Sequence, residues 1–383
     1  MSAAAASSTP PKSKPRERTW APRFWIGMEY FATLQLLAEN RCAVHAFQWH
    51  TIPVLLINNF FNNFLMRLWQ EAQYGRKADQ LQIQPPLFVI GHWRTGTTHL
   101  HELLSLDERF ASPTTFECFS PTNFLIVEEA YTRLLSFLLP SKRPMDNMKM
   151  GWDRPQEDEF ALTLLGARSP YRTLAFPNHG PVDTEYLDLA HLPPRAVRAW
   201  QKTLHRFLQR VALKHANRRL VLKSPTHTAR LRVLVHLYPQ AQFVHIVRNP
   251  YEVFPSTVNL WKSLYRTHGL QVPNFEGLEE FVFATFSRMM DRLAADRALV
   301  PEANFHQVRY EDLVREPEAE MRRIYERLNL GGFDRFLPQL QAYLATLKGY
   351  ETNKYEMTPE MRAAITRRWG PIIARLGYPV DDA

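Results

Sequence analysis

Between Pro86 and Leu104 the chain reads Pro-Leu-Phe-Val-Ile-Gly-His-Trp-Arg-Thr-Gly-Thr-Thr-His-Leu-His-Glu-Leu-Leu, and few folds accommodate that order. Leu87 to Ile90 is a short uninterrupted apolar run, the pattern of a strand covered on both faces. Gly91 and Gly96 bracket a tight loop. From Thr97 a helix is expected, because Leu100, Leu103 and Leu104 fall at i, i+3 and i+4 on one face. Strand, loop and helix start together make an anion cradle. The first N–H groups of a helix have no intrahelical partner, and the dipole favours negative charge there.

The two glycines keep the spacing of the nucleotide P-loop, G-x-x-x-x-G-K-[ST], but Thr97 stands where the lysine belongs. Thr98 retains a hydroxyl, and the cation has moved inside the loop as Arg94. The usual clamp on β and γ phosphates is therefore missing, which argues for a shorter anionic chain than ATP with magnesium. A P-loop-type nucleotide kinase or NTPase is the enzymatic alternative. A non-catalytic nucleotide-binding protein at a membrane surface is the other.

Further strands follow the same pattern. Arg219 to Pro225 reads as a buried strand ending in a polar turn, Gln242 to Arg248 as another, and Phe305 to Tyr310 as a fourth. Helical patterns alternate with them, the strongest being the apolar stripe Val197, Trp200, Leu204, Phe207, Leu208 and Val211. This alternation predicts a three-layer α/β fold, P-loop-like, with a mainly parallel central sheet. Ligands of such sheets lie beyond the carboxyl ends of the strands. That rule gathers Arg94, Lys223, Arg248 and Tyr310 into one place.

The formal net charge of +9 suits polyanionic ligands or acidic surfaces. No zinc-knuckle spacing and no basic run interleaved with aromatics speaks for nucleic acid. Two cysteines, Cys42 and Cys118, fit free thiols in a reducing, cytoplasmic setting. Residues 1–18 read as a disordered tail and residues 19–84 as a helical N-terminal extension, leaving 85–383 as the α/β domain. In the extension, Ile52 to Leu68 is the greasiest part, but Asn58, Asn59, Asn62, Asn63 and Arg67 interrupt it, which excludes a membrane span. A cap packed on the domain is the preferred reading. Peripheral contact of these helices with a membrane is the alternative.

Gly91 to Thr98 resembles the 5′-phosphosulfate loop of sulfotransferases that use 3′-phosphoadenosine 5′-phosphosulfate (PAPS). It is similar to the branch with arginine in the loop, which includes tyrosylprotein sulfotransferases and many bacterial enzymes. The resemblance implies that Arg94, Thr95, Gly96, Thr97 and Thr98 hold the 5′ side of the donor. Arg248, with Ser256 eight residues on, resembles the pair that grips the 3′-phosphate. Arginine suits that role because its planar fork binds phosphate bidentately. Lys223 looks like the family's second cation near the transferring group, a charge clamp with Arg94. Tyr310 lies in a stretch that matches the family. Lys354, between Tyr350 and Tyr355, resembles a late basic loop that folds over the nucleotide.

Glu117 falls where the branch places a catalytic glutamate and is the leading proton acceptor; the cluster Glu157-Asp158-Glu159 is the runner-up. The acceptor, whether a small molecule, glycan, lipid or peptide offering a hydroxyl or amine, is not legible. His92, His99, His101 and His227 invite a metal reading. His99 and His101 are two apart on a helix and share no face, and no carboxylates or cysteines surround these histidines as ligands. No metal is expected.

Overall fold

The computed structural model describes residues 23–135, 151–347 and 357–381. The expected tail and Lys354 lie outside them. Among the described residues five strands form one sheet: β1 (Leu87–Ile90), β2 (Phe110–Ala111), β3 (Arg219–Lys223), β4 (Gln242–Val247) and β5 (Phe305–Arg309). The order is β2-β3-β1-β4-β5, and every neighbouring pair is parallel. Leu87 is level with Val221 on one side and Gln242 on the other. Strand β2 was not expected from the sequence, since two residues carry no periodicity.

Alternation along β1 divides the core. Leu87 and Val89 face one helical layer, packing with Leu100, Leu103, Met321, Ile324 and Phe336. Phe88 and Ile90 face the other, packing with Trp200, Phe207, Leu231, Phe254 and Phe286. All four residues of β1 are fully buried. The result is helix, sheet, helix, with β1 central and the connections switching sides about it, so the loop after β1 opens at the crevice where open α/β sheets bind ligands.

The N-terminal extension packs one face into the larger core: Phe24, Trp25, Met28, Leu36, Ile52 and Leu55 belong to the same cluster as Phe88. Its helix Tyr30–Glu39 lies against a continuous helical rod over residues 51–79, which widens into π turns at Asn59–Leu65 and Glu71–Gly75. The asparagines that break the greasy run explain how the rod is held. Asn59 donates to Trp25 O and Thr33 Oγ1, Asn63 to Ile26 O and Met28 O, and Asn58 to Ile26 O. Asn59 and Asn63 are buried. Among the described residues no helix is long and apolar enough to cross a membrane.

Candidate active site

The loop after β1 is held to its shape on both sides. Gly91 N–H donates to Thr228 Oγ1 at 2.7 Å, and a Cβ on Gly91 would stand 2.5 Å from Ile246 O. Gly96 has φ +99°, and a Cβ there would meet the Tyr310 ring at 2.3 Å, so no larger residue fits. Thr95 Oγ1 turns inward and donates to His92 O at 2.7 Å. At the loop's crest Arg94 has φ +69°, a conformation that costs a non-glycine residue energy and recurs at functional sites. The helix Thr97–Leu104 follows, with Thr97 buried at its first position.

Arg94 connects the two motifs read as phosphate sites. Its Nε donates to Ser256 Oγ at 2.9 Å, 162 residues away in sequence. Arg248, at the end of β4, donates to Arg94 O at 3.3 Å and pairs with Glu252 at 2.6 Å. Its guanidinium lies 4.4 Å from the centroid of the Tyr310 ring, so Tyr310 acts as a backstop for both Gly96 and Arg248. Glu311 accepts from Asn249 N–H at 3.0 Å and from Tyr378 OH at 2.7 Å. The stretch beginning Tyr310-Glu311 thus fixes the turn that carries Arg248.

A second group forms at the end of β3. Lys223, almost wholly buried, reaches Thr98 Oγ1 at 3.2 Å and Glu157 Oε1 at 2.7 Å. The other oxygen of Glu157 accepts from Tyr171 OH at 2.5 Å, and Tyr171 OH accepts from Trp93 Nε1 at 2.9 Å. Burial, with the charge of Glu157 beside it, pushes the Tyr171 hydroxyl well above the usual tyrosine range, so it stays a neutral donor. From Trp93 the chain of contacts runs through Tyr171, Glu157 and Lys223 to Thr98, beginning in the loop after β1 and ending in the first turn of the helix that follows it.

Of the three consecutive acids, only Glu157 faces Lys223. Asp158 is bound by Ser224 at 2.9 Å and His227 at 2.7 Å. Glu159 accepts from Thr226 at 2.8 Å and pairs with Arg230 and Ser169. Burial works to raise both carboxyls. The charge of His227 with hydrogen bonds from His227 and Ser224 at Asp158, and the charge of Arg230 with hydrogen bonds from Arg230 and Ser169 at Glu159, together outweigh it and hold both below the ordinary range. These two acids fasten the Glu157 turn to the segment from Ser224 to Arg230.

Glu117 stands apart from this group. Its side chain is fully buried, accepts from Thr114 N–H at 2.9 Å in a capping box, and pairs with His215 and Lys214, each at 2.8 Å. Lys214 and His215 end the helix that leads into β3, so Glu117 is tied to residues that enter that strand, whereas Lys223 closes its carboxyl end. The sequence reading missed Tyr171 and Trp93. Tyr171 lay unmarked in the irregular Pro-rich stretch after Ser169. Trp93 was visible inside the loop, but nothing in the pattern gave its indole a partner. Among the described residues no group of three or more metal-ligating side chains forms. His92, His101 and His227 instead bond to Trp93 O, to Ser112 with Val221 O, and to Asp158.

Residues 85–335 match the profile described as the sulfotransferase family. The chain is 45% identical over 364 residues to omega-hydroxy-beta-dihydromenaquinone-9 sulfotransferases (Stf3) of Mycobacterium bovis and Mycobacterium tuberculosis, covering 95% of this chain and 93% of theirs. Among solved structures it resembles sulfotransferase STF1 of Mycobacterium tuberculosis, with TM-score 0.59, 22% identity, and 89% and 92% of the two chains covered. It also resembles STF9 of Mycobacterium avium, with TM-score 0.58, 20% identity, and 83% of each chain covered.

Proposed function

The chain belongs to the sulfotransferase family, and from that premise we propose that it moves a sulfuryl group from PAPS to a hydroxyl on an apolar, lipid-like acceptor. The carrying observation is the chain of contacts Trp93–Tyr171–Glu157–Lys223–Thr98. It sets a carboxylate and an ammonium side by side at the mouth of an anion cradle.

The residues present fit the donor. Arg94, Arg248 and Lys223 are cations, and Thr98 and Ser256 add hydroxyls at two ends of one crevice, which suits a nucleotide with two separated anionic groups. When bound, PAPS supplies a near-neutral SO3 unit joined to a phosphate leaving group. Arg248 and Ser256 hold the 3′ side. Thr98 and the helix start behind it hold the 5′ side, with Arg94 between the two. Lys223 sets fixed positive charge where negative charge grows on the departing phosphate. Glu157 takes the proton of the acceptor hydroxyl. Tyr171, itself held by Trp93, aims that carboxylate.

One observation supports the acceptor class: the relatives that share 45% identity over nearly the whole chain are named for a hydroxylated menaquinone. Sulfur-labelled PAPS, offered with an omega-hydroxylated polyprenyl quinone, a phenol, a sugar and a tyrosine peptide, tests the reading. Label is expected in the quinone. Label confined to the sugar or peptide overturns the acceptor class. Calorimetry without magnesium tests the donor: 3′-phosphoadenosine 5′-phosphate should bind far more tightly than ATP, and equal affinity rejects the two-site cradle.

A further inference from the structure

Among the described residues, eleven of the sixteen exposed large hydrophobic side chains lie in the N-terminal extension, between Ile26 and Trp69. Phe31, Val54, Ile57, Phe61, Leu68 and Trp69 are each more than half exposed. Along the rod, Val54, Ile57, Phe61 and Leu68 recur every three, four and seven residues, a single stripe on a helix. Ring contacts join the stripe to the neighbouring helix: Phe60 lies 5.3 Å from Phe61 and 5.7 Å from Phe64, and Phe64 lies 5.5 Å from Phe31. The patch is therefore continuous. Before the rod, Phe47 is 81% exposed, and Trp49 is about half exposed.

The rod's orientation is fixed. A helix free to choose would bury its phenylalanines and expose its asparagines. Here Asn59 and Asn63 are buried and donate to backbone carbonyls of residues 25–28, while Phe61 and Trp69 face out. Rotating the stripe inward would strip those amides of partners in a dry interior. Exposure of the stripe is thus built into the packing.

The charge pattern indicates what covers it. From Cys42 to Met66 the sequence holds no Asp, Glu, Lys or Arg. A water-facing helix normally carries charges, and a protein interface a charged rim. The extension also exposes Arg41, Arg76 and Lys77, while its exposed acids Glu39 and Asp79 pair with Arg168, Arg172, Arg206 and Arg210, on a chain whose net charge is +9. Trp49 and Trp69 stand near the two ends of the stripe, the positions that tryptophan takes at a membrane–water interface. An uncharged aromatic face, tryptophan at its ends and cations on the same extension match the interface of an anionic bilayer.

We propose that this face of the extension docks the enzyme on the surface of an anionic lipid bilayer, with the rod lying in the plane of the headgroups. Among the described residues no helix is long and apolar enough to cross the bilayer. The buried side of the same extension supplies Phe24, which packs with Phe160 and, through it, Tyr171 in the core.

Co-sedimentation of the full chain with vesicles tests the proposal, using phosphatidylcholine alone and with a third of phosphatidylglycerol. Binding to the anionic vesicles is expected, with a blue shift of tryptophan emission. The triple variant Phe61→Ser, Leu68→Ser, Trp69→Ser should lose at least about tenfold in partitioning while keeping its melting temperature and donor affinity. No binding, or binding that the triple variant leaves unchanged, overturns the proposal. Light scattering without lipid adds a check: a dimer that the same variant dissociates would assign the face to a second copy of this chain instead. The assay needs no acceptor and no turnover, so its result is independent of the transfer reaction proposed above.

Discussion

Glu157 and Glu117 are both carboxylates on segments beside the sheet, both paired with lysine, and they serve different ends. Glu117 is wholly buried; its partners Thr114, Lys214 and His215 fasten a short helix to the residues that enter β3. Glu157 keeps 13% of its side chain exposed, and its partners Lys223 and Tyr171 connect it to the loop after β1. A lysine neighbour and burial are thus common to a structural acid and a catalytic candidate. What separates them is the end of the strand on which the pair sits, and whether a lone pair remains open to a ligand.

Four substitutions break or sharpen this contrast. The largest effect is expected for Glu157→Gln. Loss of a general base lowers transfer about 10²–10⁴-fold, while donor affinity measured by calorimetry stays within a few fold. Retained turnover would reject the assignment. Arg248→Ala comes next: a lost charge-assisted contact, about 1.5–3 kcal/mol, weakens binding of 3′-phosphoadenosine 5′-phosphate roughly tenfold or more. Tyr171→Phe removes one hydrogen bond to Glu157 and should lower kcat about three- to tenfold with KM for the donor unchanged. A merely structural Tyr171 would instead lower the melting temperature and leave kcat alone.

The smallest effect on turnover belongs to Glu117→Gln, within about twofold, with the cost appearing in stability, about 1–3 kcal/mol at neutral pH. Burial raises the Glu117 carboxyl, but the hydrogen bond from His215 and the charges of His215 and Lys214 outweigh it and leave it below its ordinary value. A carboxyl depressed in the folded state contributes stability that is present above its unfolded value, about 4.3, and lost as pH falls through the folded one. The gap between parent and variant in urea melts should therefore be full at pH 7 and close on acidification. A gap that widens in acid would contradict the geometry.

Most of the sheet was legible because its central strands carry short apolar runs, each followed by a polar turn. Leu87–Ile90, Arg219–Lys223 and Gln242–Val247 needed no tertiary information. The convergence of Arg94, Lys223 and Arg248 followed from one topological rule. The choice between Glu117 and Glu157 as the proposed base did not follow, because each lies at the start of a short helix, and only packing decides which cation each meets. Tyr171 was illegible for the same reason: its partner Trp93 is 78 residues away in a different element. The asparagines of the rod read as interruptions of a greasy run, but their inward direction cannot be seen in a linear pattern. Sequence treats them as polar interruptions, whereas the fold uses them as anchors.

The position of β1 has a consequence for how the chain comes together. The strand that carries the phosphate loop ends at Ile90, yet its two neighbours begin at Arg219 and Gln242. During synthesis at about 5–20 residues per second, its apolar edges wait on the order of ten seconds for a partner. Closing so long a loop is entropically unfavourable, and sheets built from distant pairings form slowly. The first-made strand should therefore be among the last to gain protection. In pulsed hydrogen exchange during refolding, the amides of Phe88 and Val89 should become protected with those of β4, after the local helices. Protection of β1 ahead of β4 would mean that some other segment shelters it first.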